Sequence, residues 1–219
     1  MKRGVKEWGV RIVILLIGLW IAHFGVTLFL LSDLGSDPFN VFVQGVFRSA
    51  ERATHWGFLT HGRTHVALSL LIVLILLVVD RSYIKIGTAL CMVFGGPIID
   101  VFTRLLQPLF DGAGMGFRLA ALVAGCVILA CGMTVVIRSD AGTGPNDLVA
   151  LVISDKTRFR FSLTRVAVDA LFALCGFLLG GTVGLGTLIC MFLVGPVAGL
   201  FLPINGRIVE RTVARFCRG

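Results

Sequence analysis

The sequence predicts an all-α, polytopic membrane protein of two tandem four-helix repeats, six long helices and two short ones, with pseudo-two-fold symmetry. Three observations carry this reading. Hydrophobic residues make up 57% of the 219 and charged residues only 15%, where soluble domains carry about a quarter charged. The apolar residues fall in long runs, Ile12 to Leu31, Val66 to Val79, Leu119 to Ile137 and Val166 to Gly181, and roughly 20 helical residues cross about 30 Å of hydrocarbon. The chain also resembles itself. A shift of 107 positions lays Gly9, Arg11, Gly18, Gly25, Thr27, Ser32, Asp33, Gly35 and Pro38 on Gly116, Arg118, Gly125, Gly132, Thr134, Ser139, Asp140, Gly142 and Pro145 without a gap.

Two further blocks extend the match. At an offset of 100, Thr64, Val66 and Ala67 meet Thr164, Val166 and Ala167, with His65 opposite Arg165. At 99, Gly87-Thr88, Cys91-Met92 and Gly96-Pro97 meet Gly186-Thr187, Cys190-Met191 and Gly195-Pro196. The whole chain, 1–219, is therefore one membrane domain. Repeat 1 covers about 9–106, repeat 2 about 115–205, and 206–219 forms a basic cytoplasmic tail. The loop between Phe47 and Thr64 is longer than its counterpart.

In order, the first repeat predicts helices near 9–32, 38–54, 64–80 and 84–106, and the second near 115–138, 145–157, 162–180 and 184–205. The first is read as a retained membrane helix. Its apolar run exceeds the 7–15 residues or so of a signal-peptide core, and Ser32 to Gly35 offers no small-x-small cleavage site. The apolar parts of the short helices, Phe39 to Phe47 and Leu148 to Ile153, are about half the length of a straight crossing. Charge counting still favours eight crossings: 17 of the 20 Lys and Arg then lie cytoplasmic and 3 outside, against 15 and 5 with six crossings. Both place the termini in the cytoplasm. Eight crossings make the repeats parallel; six make them inverted.

A net charge of +8 and a pI near 9.8 do not indicate nucleic acid, because the cations flank apolar runs and form no continuous basic face. Five of the six cysteines lie inside apolar runs, as small packing residues, and none has metal-ligand spacing. No Ser-His-Asp series, His-Glu-x-x-His or paired-Cys motif occurs, so an enzyme, a metal and a cofactor are not expected. Gly180 to Thr187 has the composition of a phosphate loop, but it follows a membrane helix and lacks the Lys.

The repeated turn is the most informative feature: Asp33-Leu34-Gly35-Ser36-Asp37-Pro38-Phe39-Asn40 and Asp140-Ala141-Gly142-Thr143-Gly144-Pro145-Asn146-Asp147. As plain structure, Gly35 and Gly142 end a helix while Pro38 and Pro145 begin the next. As function, two short helices starting at matching positions bring positive dipole ends and polar groups near the symmetry axis. Asp33, Asp37, Asn40, Asp140, Asn146 and Asp147 are then the candidate substrate ligands. Ionisable residues within the spans come next: Arg165 with Asp169 and Asp100 with Arg104, each one turn apart, and His23. They read either as charge compensation, with His23 bonded to a backbone carbonyl, or as coupling sites. Gly96-Pro97 and Gly195-Pro196 suit close packing or a hinge.

These turns, with Gly180 to Thr187 and Gly195-Pro196, resemble the bacterial YczE/YyaS/YitT group of membrane proteins from about Gly9 to Pro203. Where relatives carry Trp after the first Pro, this chain has Phe39. The resemblance implies a multi-pass protein of the bacterial cytoplasmic membrane and a transporter role, and it brings no substrate. The expected function is a small secondary transporter or permease for a polar solute or ion, bound between the repeats. The alternative is a scaffold that holds a partner through Arg207 to Arg218. Beyond lipid, the sequence leaves self-association or a membrane-protein partner open.

Overall fold

The computed structural model describes residues 4–54 and 59–217. Lys2, Arg3 and Arg218 of the charge counts, and residues 55–58 of the long loop, lie outside them. The described residues form eight α-helices: α1 (Val5–Leu31), α2 (Pro38–Thr54), α3 (His61–Val79), α4 (Ile86–Phe110), α5 (Met115–Ser139), α6 (Pro145–Thr157), α7 (Phe161–Leu178) and α8 (Leu185–Cys217). A 3-10 turn, Arg81–Tyr83, joins α3 to α4. Six of the helices, α1, α3, α4, α5, α7 and α8, are long and apolar enough to cross a membrane. At 1.5 Å per residue the 13 residues of α6 reach only about 20 Å.

The protein is built around α1 and α5, the most extensively packed pair. They run in opposite directions. Arg11, near the start of α1, donates from Nη1 to Ser139 O at the end of α5 (3.0 Å), and Arg118, near the start of α5, donates from Nη1 to Ser32 O at the end of α1 (3.3 Å). Between these ends the backbones nearly touch. A Cβ on Gly25 would fall 2.6 Å from Gly125 O, one on Gly125 would fall 2.7 Å from Gly25 O, and one on Gly132 2.7 Å from Gly18 O. Small residues allow this approach, which gains dispersion contact that lipid cannot match.

The antiparallel pair corrects the parallel, eight-crossing expectation. Four crossings per repeat would have set α1 and α5 in the same direction. The preference rested on a difference of two charges between arrangements that both satisfy the positive-inside rule, and the glycine contacts outweigh it.

The turn after α1 closes against the start of α8, and the turn after α5 against the start of α4. Asp33 and Asp140 adopt left-handed backbone with φ of 55° each, a conformation that Asp tolerates better than most residues. Gly35 and Gly142 follow at φ 145° and 132°, where a side chain would be strained. Gly186 N donates to Leu34 O, and Gly87 N donates to Ala141 O, both at 2.8 Å. These two bonds tie the end of α1 to α8 and the end of α5 to α4.

The short helices cross between the halves: α2 packs on α7 and α6 touches α3. The glycine-rich stretch after α7 straps α2. Arg48 donates to Gly180 O at 2.6 Å, Thr182 N donates to Gln44 Oε1 at 2.6 Å, and a Cβ on Gly181 would collide with Val41 O. Its glycines serve helix contact. The last helix runs past its expected end at 205. It continues through Pro203 to Cys217 because Val209 and Val213 are buried against Ile14 of α1, so residues 206–217 are an amphipathic extension that keeps Arg207, Arg211 and Arg215 exposed.

Candidate functional site

Charged groups buried inside an apolar bundle need partners, and three helices supply them at one place. Arg165 of α7 is 7% exposed and Asp169, one turn later, 2%. The Arg165 Nε donates to Asp169 Oδ2 at 2.9 Å, and its Nη1 donates to Asp147 Oδ1 at 2.6 Å. Asp147 sits in the first turn of α6, where the positive end of the helix dipole favours a carboxylate. One guanidinium thus spans two carboxylates, a fork geometry that Lys could not reproduce.

A third carboxylate approaches from the opposite short helix. Asp37, just before α2, is within electrostatic reach of Asp169. It also accepts two bonds from Asn40, from the backbone N at 3.2 Å and from Nδ2 at 2.5 Å. Asn40 Oδ1 in turn faces His61 Nε2 at 3.4 Å. His65 lies one turn further along α3, its ring edge-on to Phe39 at 5.3 Å, and Phe172 stacks on Phe42 at 5.6 Å beneath. On α1, His23 Nδ1 is 2.8 Å from Leu19 O, its Nε2 lies against Gly95, and Asp147 is within electrostatic reach. The starts of α2 and α6 therefore converge on the Arg165–Asp169 pair from two sides.

The remaining candidates lie elsewhere. Asp140 is in a cavity of about 740 Å³ at the end of the bundle where α1 begins, with Arg11, Lys85, Arg138, Thr143 and Asp155 among its lining. Lys85 forms an ion pair with Asp140, and Tyr83 donates to Asp155 at 3.0 Å. At the same rim, hydrogen bonds from Ser82, with Lys156 alongside, hold the exposed Asp80 carboxyl below the usual range. Thr143 Oγ1 lines this cavity, buried and without a hydrogen-bond partner, and Thr88 Oγ1 is likewise unpaired. Asp33 lies in a separate pocket of about 340 Å³ with Gln107, Asp111 and Arg118. The matching aspartates thus sit at opposite ends of the bundle, while Asp37, Asn40 and Asp147 turn inward, with Asn146 half-buried beside Asp147.

Asp100 and Arg104 are exposed on α4, outside this cluster. Gly195 packs on α7, where a Cβ would meet Ser162 O at 2.8 Å, whereas Gly96 faces open space. Pro97 and Pro196 lie within unbroken helices. His61 and His65 beside the cluster, and Lys85 in the cavity around Asp140, are residues that motif reasoning passed over. One signal for His65 was present, since it occupies the position matched to Arg165.

Eight helices, six of them able to span, with buried charge at their centre, define a multi-pass helical membrane protein whose exposed apolar faces contact lipid. The chain belongs to the family described as a family of unknown function (DUF6198), whose model matches residues 9–203. It is 30% identical over 201 residues to the uncharacterized membrane protein YczE of Bacillus subtilis (strain 168), covering 90% of this chain and 88% of that one. An uncharacterized protein of Haemophilus influenzae is 28% identical over 90% of this chain and 85% of its own. The uncharacterized protein YyaS of B. subtilis is 24% identical over 87% and 92%. No solved structure matches.

Proposed function

We propose that the chain is a small secondary transporter for a polar solute or ion, and that its site is the cluster of Asp37, Asn40, Asp147, Arg165 and Asp169. The buried Arg165, shared by two carboxylates where two short helices begin, is the observation that carries this reading. Buried ion pairs are weak stabilisers compared with apolar packing, so their placement in a membrane core favours a use beyond folding. Short helices that begin near the centre are the device by which transporters present positive backbone dipole ends to a solute.

The two units are read as inverted repeats of three crossings each, with α2 and α6 entering from opposite faces. The paired contacts support this: Arg11–Ser139 with Arg118–Ser32, and Gly87–Ala141 with Gly186–Leu34. In this reading the cavity around Asp140 and Lys85 opens to the cytoplasm, where both termini lie, in a bacterial cytoplasmic membrane. The pocket around Asp33 opens to the other side.

The arginines along the extension of α8 favour a second reading, a scaffold that grips a partner there. A thermal-shift panel of amino acids, amines, carboxylates, sugars and monovalent cations on the purified protein separates the two. The transport reading expects at least one compound whose stabilisation of the wild type is lost in D169N and D147N and kept when residues 207–219 are removed. Compounds that shift wild type and both variants alike would contradict it.

A further inference from the structure

The two faces of α4 are unlike. One carries Gly87, Thr88, Cys91, Gly95 and Ile98, all buried, and Phe102, which meets Trp20 and Phe24 of α1 edge-on at 5.4 and 5.1 Å. The other carries Val93, Gly96, Asp100, Val101, Arg104 and Leu105, all exposed. This spacing of three and four residues forms one stripe along the helix. An apolar stripe would simply face lipid. Here a carboxylate and a guanidinium stand in it, and neither makes a hydrogen bond or ion pair with a described residue. Asp100 lies about 16 Å along the helix from the Asp111 turn, at 1.5 Å per residue, which is close to the middle of the hydrocarbon. An ionisable group there normally faces protein or a wet cavity.

The chain itself leaves this face open. In the second half α7 packs along α8, but α3 scarcely meets α4, and these two are the least covered of the spanning helices, with 17% and 22% of their apolar 18-residue stretch buried against 33–44% in the others. The stripe is also complementary to itself. A two-fold axis along the membrane normal sets α4 of two copies side by side and parallel. Asp100 of one copy then faces Arg104 of the other, and the exchange is reciprocal, as an isologous interface requires. One turn before Asp100, a Cβ on Gly96 would meet nothing within 4 Å, so the backbones can approach closely.

We propose that the occupant of this face is a second copy of the chain, and that Asp100–Arg104 pairs across the α4–α4 contact hold a homodimer. The proposal is independent of the transport reading. It is tested with two differently tagged full-length copies, co-expressed, extracted in mild detergent and captured through one tag. Wild-type copies capture each other. Pairs in which both copies are D100R, or both are R104D, face like charges and capture at least tenfold less. A D100R copy with an R104D copy restores opposite charges between chains and recovers capture to near the wild-type level, which repair within one helix cannot do. G96L fills the groove without changing charge and also loses self-capture. The proposal is overturned if wild-type copies fail to capture each other, as when α3 closes on α4 or another protein covers the face. It is equally overturned if like pairs or G96L capture as well as wild type, or if the mixed pair stays lost while both variants are inserted and monodisperse.

Discussion

Replacing Arg165 with Met is expected to destabilise the protein by about 3–5 kcal/mol, because removal of one partner leaves buried carboxylates without their counter-charge. Asp147 and Asp169 both take their short bonds from this guanidinium, so its loss strands two groups. The double variant R165M/D169L removes a carboxylate together with the cation and is expected to recover more than half of the loss. Equilibrium unfolding in a denaturing detergent, followed by helical signal, reads both. A single variant within 1 kcal/mol of wild type would show that the cluster is wet or already neutral, and the site would lose its electrostatic basis.

Changing Gly132 to Val is the second large effect, expected at about 3 kcal/mol or more, at the upper end of overpacking costs. A Cβ there would lie 2.6 Å from Ala22 Cα and 2.7 Å from Gly18 O. These are backbone atoms, which cannot swing aside as a side chain can, so α1 and α5 must separate along their crossing. The control is G116A, in the same helix, whose Cβ meets nothing within 4 Å. It should stay within about 0.5 kcal/mol, as surface changes usually do. Equal losses from both would mean that the close α1–α5 approach does not stabilise the bundle.

The helices were legible because burial in lipid needs little more than length and apolarity, and the starts at Pro38, Met115 and Pro145 were read directly. The end of α8 was not. Pro203 and the arginines after it look like a boundary, yet the lost N–H and the ring's clash with the preceding turn are local, and Val209 and Val213 find a partner in Ile14. The Arg165–Asp169 pair was legible because residues one turn apart share a helix face. Its bond to Asp147 was not, since that partner comes from a different helix through a turn whose path depends on Gly142 resting against α4. Recurrence of the turn marked both Asp33 and Asp140, but recurrence cannot say which members point inward. The structure turns Asp37 and Asp147 toward the core and sends the other two to opposite ends. The relative direction of α1 and α5 was hidden for the same reason: it is fixed by glycine contacts between helices distant in sequence.

The central claim is that the two halves run through the membrane in opposite senses around the buried charge cluster. Its most direct test is the sidedness of single cysteines at Ser82, in the turn before α4, and Gly114, before α5, read in intact cells against the native cysteines with a membrane-impermeant thiol reagent. Thr157 serves as a control, cytoplasmic in either arrangement. The account predicts that S82C reacts only after the cytoplasmic face is opened and that G114C reacts in intact cells. The reverse pattern, G114C protected and S82C labelled from outside, would contradict it.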